Sequence, residues 1–135
     1  MIAPCEIAAK SVVPAIKALL AKELVEKHNL KQEEAARLLG ISQSAVSKYT
    51  RKVRGYAIRI GEIREIESLI DEMTSLLING KYQRSDFLTF FCQTCTEIRK
   101  KGLMCIFCEK TDPNIKAEEC RFCLTTFKFS KIKRV

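Results

Sequence analysis

The sequence predicts a mainly α fold: an N-terminal helix-turn-helix bundle, a long connecting helix and a small Cys-rich, metal-bound C-terminal module. Three observations carry that prediction. Apolar residues recur at helical spacing from Ile16 to Leu77. Charge is segregated: no acidic residue lies between Glu34 and Glu62, a gap that holds Arg37, Lys48, Arg51, Lys52, Arg54 and Arg59. Glu62, Glu65, Glu67, Asp71 and Glu72 then follow against a single Arg64. Finally, six of the seven cysteines and all seven phenylalanines come after residue 86. These shifts divide the chain into a basic head at 1–56, a connecting and dimerisation helix at 57–80 and a cysteine module at 81–135.

With 135 residues there is room for one ordinary domain, or for two small ones of which the second needs a staple. A net charge of +8 favours an anionic partner, and the tail ends basic with Lys128, Lys131, Lys133 and Arg134. Glu6 and Lys10 interrupt the start, so no signal peptide is expected. No apolar run approaches the ~20 residues that span a bilayer. A cytoplasmic, reducing setting is therefore expected, with no membrane partner; clustered thiols there more often bind metal than form disulfides.

Taken in order, the first helix has Pro14 in its opening turn, where a missing N–H costs little. Its apolar positions Ile16, Leu19, Leu20, Leu24 and Val25 run to His28-Asn29. A second helix runs from Gln32 to Leu39 and stops at Gly40. Ser42 caps a third, which reaches about Tyr49. The connecting helix shows one stripe of Ile60, Ile63, Ile66, Ile70, Met73 and Leu77, ended by Asn79-Gly80.

The second and third helices have the parts of a helix-turn-helix. Ala36 is small where the helices nearly touch, Gly40 tolerates positive φ in the turn, and Ile41, Val46 and Tyr49 anchor the second helix from inside. Its outward positions Gln43, Ser44, Ser47 and Lys48 are short or polar enough to reach base edges, and a glutamine can bond adenine bidentately. Ser42 at the cap belongs with them; Gln32 is placed to hold a phosphate, and Arg51, Lys52 and Arg54 to grip the backbone or enter the minor groove. The plainer alternative is an αα-hairpin with a solvated basic face. The partner implied by the motif is double-stranded DNA.

Pro4-Cys-Glu, Val13-Pro-Ala-Ile16, Ala21-Lys-Glu-Leu24 and the Leu38-Leu-Gly-Ile-Ser-Gln-Ser-Ala-Val-Ser47 run resemble the XRE-type predicted transcriptional regulators of archaea. More broadly, the motif is similar to that of phage repressors and Cro. The resemblance implies that Gln32 binds phosphate and Gln43 reads a base. Ser44 stands where many repressors carry a second glutamine, so their specificity does not transfer.

The tail carries Cys92-x-x-Cys95, Cys105-x-x-Cys108 and Cys120-x-x-Cys123. Two residues between thiols let both sulfurs face one metal, and two pairs complete a tetrahedral site. An iron–sulfur cluster, of 4Fe–4S type, is favoured over zinc because Ile106, Phe107 and Phe122 could shield it. The cluster would make the tail a redox or iron sensor. Zinc would make it structural, and a metal-free dithiol switch is the third reading. Cys5 stands apart and is expected to be buried in the head.

The connecting stripe needs a covering surface, and a second copy is an economical one. This reading predicts a homodimer on a pseudo-palindromic operator. Enzymatic function is not expected: no thioredoxin-like βαβ pattern surrounds the pairs, no hydrolase motif or small-molecule substrate is evident, and His28 alone offers imidazole chemistry from a surface position. A metal-bound adaptor of the transcription or translation machinery, using exposed phenylalanines and the basic end, is the other alternative.

Overall fold

The computed structural model describes residues 2–124 and is helical, with no strand among them. The basic end at 128–134 lies outside the described residues. Helix α1 spans Pro4–Lys10 and α2 spans Val12–Lys22, whose last turn widens into a π segment at Glu23–Lys27. Then come α3 (Gln32–Leu39), α4 (Gln43–Thr50), α5 (Arg64–Asn79), α6 (Arg84–Lys100), α7 (Cys105–Thr111) and a 3-10 turn at Phe122–Leu124.

Helix α1 was not anticipated. Pro4 opens it, Glu6 accepts a hydrogen bond from the Ala3 N–H, and Ile7 and Ala8 are buried. It cannot run on into α2, because the Pro14 ring would clash with the carbonyl of Lys10. The break falls at Ser11 (φ −125°, ψ −63°), whose hydroxyl donates to the Ile7 carbonyl. The first head helix does end at His28-Asn29 as predicted, with Asn29 at φ 55° and His28 exposed.

Helix α2 is the spine. One side packs Val12, Ile16 and Leu20 against Ile7 of α1, Ile66, Ile70 and Met73 of α5, and Ile98 and Met104 beyond. The other packs Ala18, Ala21 and Leu24 against Ala35, Ala36, Val46 and Tyr49. One core therefore runs through head, connector and cysteine segment. Each fully buried aliphatic side chain contributes about 1.5–3 kcal/mol.

The connecting helix departs from expectation twice. It starts at Arg64, leaving Ile60 and Ile63 in the irregular segment before it, where Gly61 disfavours helix. More important, its stripe needs no second copy: Ile66, Ile70 and Met73 are covered by α2 and α6 of the same chain, and Leu77 by the helix-turn-helix side. Helix α5 is thus a central core element rather than an exposed seam.

Helix α6 carries the first cysteine pair, Cys92 and Cys95, within a continuous helix. Phe87, Phe91, Thr94 and Ile98 share its inner face, which packs on α5 and α2. Thr94 tolerates burial there because its hydroxyl donates to the Phe90 carbonyl at 2.7 Å. No helix among the described residues is long and apolar enough to cross a membrane.

Candidate nucleic-acid interface

The turn between α3 and α4 follows from Gly40. At φ 65° it lets its own N–H reach the Arg37 carbonyl (3.3 Å) and the Ile41 N–H reach the Ala36 carbonyl (3.0 Å), a Schellman closure. Ser42 then sits in extended backbone, and its Oγ accepts the Ala45 N–H at 3.0 Å. Ser42→Ala should cost about 1 kcal/mol in a urea melt, the usual value of such a cap.

Val46 (0% exposed) and Tyr49 (5%) clamp α4 onto α2 and α3, and Ala36 admits the close approach. The inside anchors predicted from the sequence are in place. On the opposite side Ser42, Gln43 and Ser44 are exposed at the start of α4, with Ser47 and Lys48 half-buried behind them. Gln32 is half-buried at the first position of α3.

The basic flank is a folded turn. The Val53 and Arg54 N–H groups both donate to the Lys48 carbonyl (2.9 and 3.3 Å), and Lys52 adopts φ 61°. Gly55 at φ 83° then presses onto α2, so Arg51, Lys52 and Arg54 are displayed from a turn held at both ends. Arg51 Nε donates to Ser47 Oγ at 3.1 Å, which sets its guanidinium beside α4. Among the described residues no ion pair involves Arg37, Lys48, Arg51, Lys52 or Arg54, so their charge faces outward unneutralised. The structure thus brings the predicted contact residues of α4 and the turn to one surface. Val53, exposed amid these cations, is a residue the sequence reading did not single out.

The cysteines divide differently from their spacing. Cys92 and Cys95 lie within α6, not in a knuckle; Cys105 opens α7, Cys108 lies one turn on, and Cys123 is in the 3-10 turn. Burial pushes the Cys95, Cys105 and Cys108 thiols up. Cys5, expected in the core, is exposed on α1, because Ile7 and Ala8 take that helix's buried positions. Ile106 and Phe122, expected as apolar cover, are exposed instead, while Phe87, Phe90, Phe91 and Phe107 pack against the core.

A helix-turn-helix family model matches residues 22–71, under half of the chain, from the end of α2 through the first half of α5. No curated protein and no solved structure matches the chain.

Proposed function

We propose that this chain is a sequence-specific DNA-binding transcriptional regulator of the XRE type. The carrying observation is the surface formed by the exposed start of α4 and the pinned basic turn, within the segment that matches the helix-turn-helix family. Helix α4 enters the major groove, Gln43 and Ser44 meet base edges, and Gln32, Arg51, Lys52 and Arg54 hold phosphates. Two copies on a pseudo-palindromic operator complete this reading. They would meet through a surface other than the α5 stripe, which the chain itself covers.

The reading includes a metal in the tail. What supports it is the donor set, six thiols in three pairs that suit a thiophilic ion; among the described residues no three of them are gathered to hold one. An iron–sulfur cluster would make the regulator a redox or iron sensor. Structural zinc is the second reading, favoured by the exposure of Ile106 and Phe122, which leaves little apolar shield for a cluster. For the adaptor alternative, Phe122 is the exposed one of the described phenylalanines, while Phe87, Phe90, Phe91 and Phe107 pack against the core.

The test is a gel-shift titration of anaerobically purified full chain on the DNA upstream of its own coding region and on fragments selected from the genome. A discrete complex that survives excess random duplex is expected. Equal affinity for selected and random DNA would sink the reading.

A further inference from the structure

Helices α3 and α5 both end on a glycine in left-handed backbone, Gly40 at φ 65° and Gly80 at φ 72°. The two glycines line one groove between the helix-turn-helix and the start of α6, with a volume of about 950 Å³. A methyl group built on either would meet nothing within 4 Å, so their missing side chains leave the groove open. Small-molecule sites have this order of volume.

The lining is apolar where the helices meet. Val13 of α2, Leu39 of α3, Leu77 of α5 and Phe87, Leu88 and Phe91 of α6 all face into it. The Phe87 ring lies 6.2 Å from that of Tyr82 and 6.2 Å from that of Phe91, centroid to centroid, so the aromatic wall is continuous. Leu88 stays 41% exposed, hydrocarbon that the chain itself leaves uncovered. The charges on the groove are of one sign. Lys17, Arg37 and Arg84 line it, no aspartate or glutamate does, and among the described residues none of the three makes an ion pair. Like cations around an apolar wall focus an attractive field on an anion.

We propose that this groove binds a free amphipathic carboxylate, a fatty or arylalkanoic acid, with its hydrocarbon on the apolar wall and its head on Arg37 and Arg84. A guanidinium takes a carboxylate through two parallel N–H bonds. Arg37 belongs to α3 and Arg84 to α6, so the occupant joins the helix-turn-helix to the C-terminal helices. The apolar wall sets this site apart from a phosphate contact, for which cations suffice. A second copy of the chain is a poorer occupant, because two such faces would bring their cations together. The site stands independently of the DNA-binding reading and is tested without DNA.

The full chain is titrated calorimetrically with decanoate below its micellar concentration, with decyltrimethylammonium and with acetate. Saturable decanoate binding is expected, with none by the cation, which the groove repels, or by acetate, which has no chain to bury. Amide NMR places the ligand: the Gly40 and Gly80 signals should shift, while those of Gly61 and Gly102, which do not line the groove, should stay. Arg84→Glu should weaken decanoate binding about tenfold or more. Arg64→Glu is the matched control, since Arg64 opens α5 as Arg84 opens α6 and both are exposed, yet only Arg84 lines the groove. It should leave the affinity nearly unchanged, with circular dichroism showing both variants folded. Absence of decanoate binding, equal binding of the cationic analogue, or equal weakening by the two variants overturns the site. So does binding of phosphatidylglycerol vesicles without free decanoate, which marks a lipid surface. Dimerisation that Leu88→Glu abolishes and decanoate does not affect also overturns it, giving the groove to a second copy.

Discussion

Gly55→Ala is expected to destabilise the protein by about 3 kcal/mol or more, the sum of a left-handed backbone and overpacking at one position. The residue sits at φ +83°, where an L side chain is strained. A methyl group added there would lie 2.6 Å from Ala18 Cβ and 2.7 Å from the Pro14 carbonyl oxygen. Neither neighbour can yield, since Ala18 is buried in α2 and Pro14 O is backbone. Gly40→Ala is the control: its φ of +65° imposes strain, but nothing lies within 4 Å of the new methyl. It should cost only about 1 kcal/mol. Urea denaturation of both variants measures the difference, and equal losses would show that contact with α2 is not what holds the turn. Loosening this contact also frees Arg51, Lys52 and Arg54, so Gly55→Ala should weaken DNA binding in conditions where it remains folded.

The parts of the fold legible in the sequence were those set by local chemistry. Gly40 and Ser42 announced their turn and cap, and Ala36, Val46 and Tyr49 announced the packing between α3 and α4, because spacing alone dictates these contacts. What Gly55 does was not legible, since it depends on a close approach to α2 from more than thirty residues away in sequence. Helix α6 was missed for a different reason. Its Phe87, Phe91 and Ile98 carry the helical period, but the cysteine pair among them points to a metal knuckle. Cys92-x-x-Cys95 is spaced for one helix face as well as for a knuckle, and spacing cannot separate the two. The α5 stripe was read correctly as apolar and given the wrong cover. A stripe declares that it must be buried, not by whom, and α6, which helps to cover it here, is not announced as a helix by its cysteine spacing.

At the interface, Gln43→Ala and Arg51→Ala should weaken binding in different ways. Gln43 is exposed at the start of α4, free to present its amide to a base edge. Its loss should cost about 1–3 kcal/mol on the preferred operator, relax preference at one base position, and leave the salt dependence intact. Arg51 is different in kind. Its Nε is held by Ser47 Oγ, leaving the terminal nitrogens to meet a phosphate. Arg51→Ala should weaken binding to all duplexes and flatten the plot of log affinity against log salt by about one unit, one counterion fewer being released. Arg51→Lys should keep the slope, which counts charge, while losing affinity, because a lysine has one donor nitrogen and cannot hold Ser47 through one while offering a phosphate a planar pair of others. Fluorescence anisotropy across a salt series, on operator and scrambled duplex, separates these outcomes. If the glutamine variant changed the slope and the arginine variant changed base preference, the division between reading by α4 and holding by the pinned turn would be reversed.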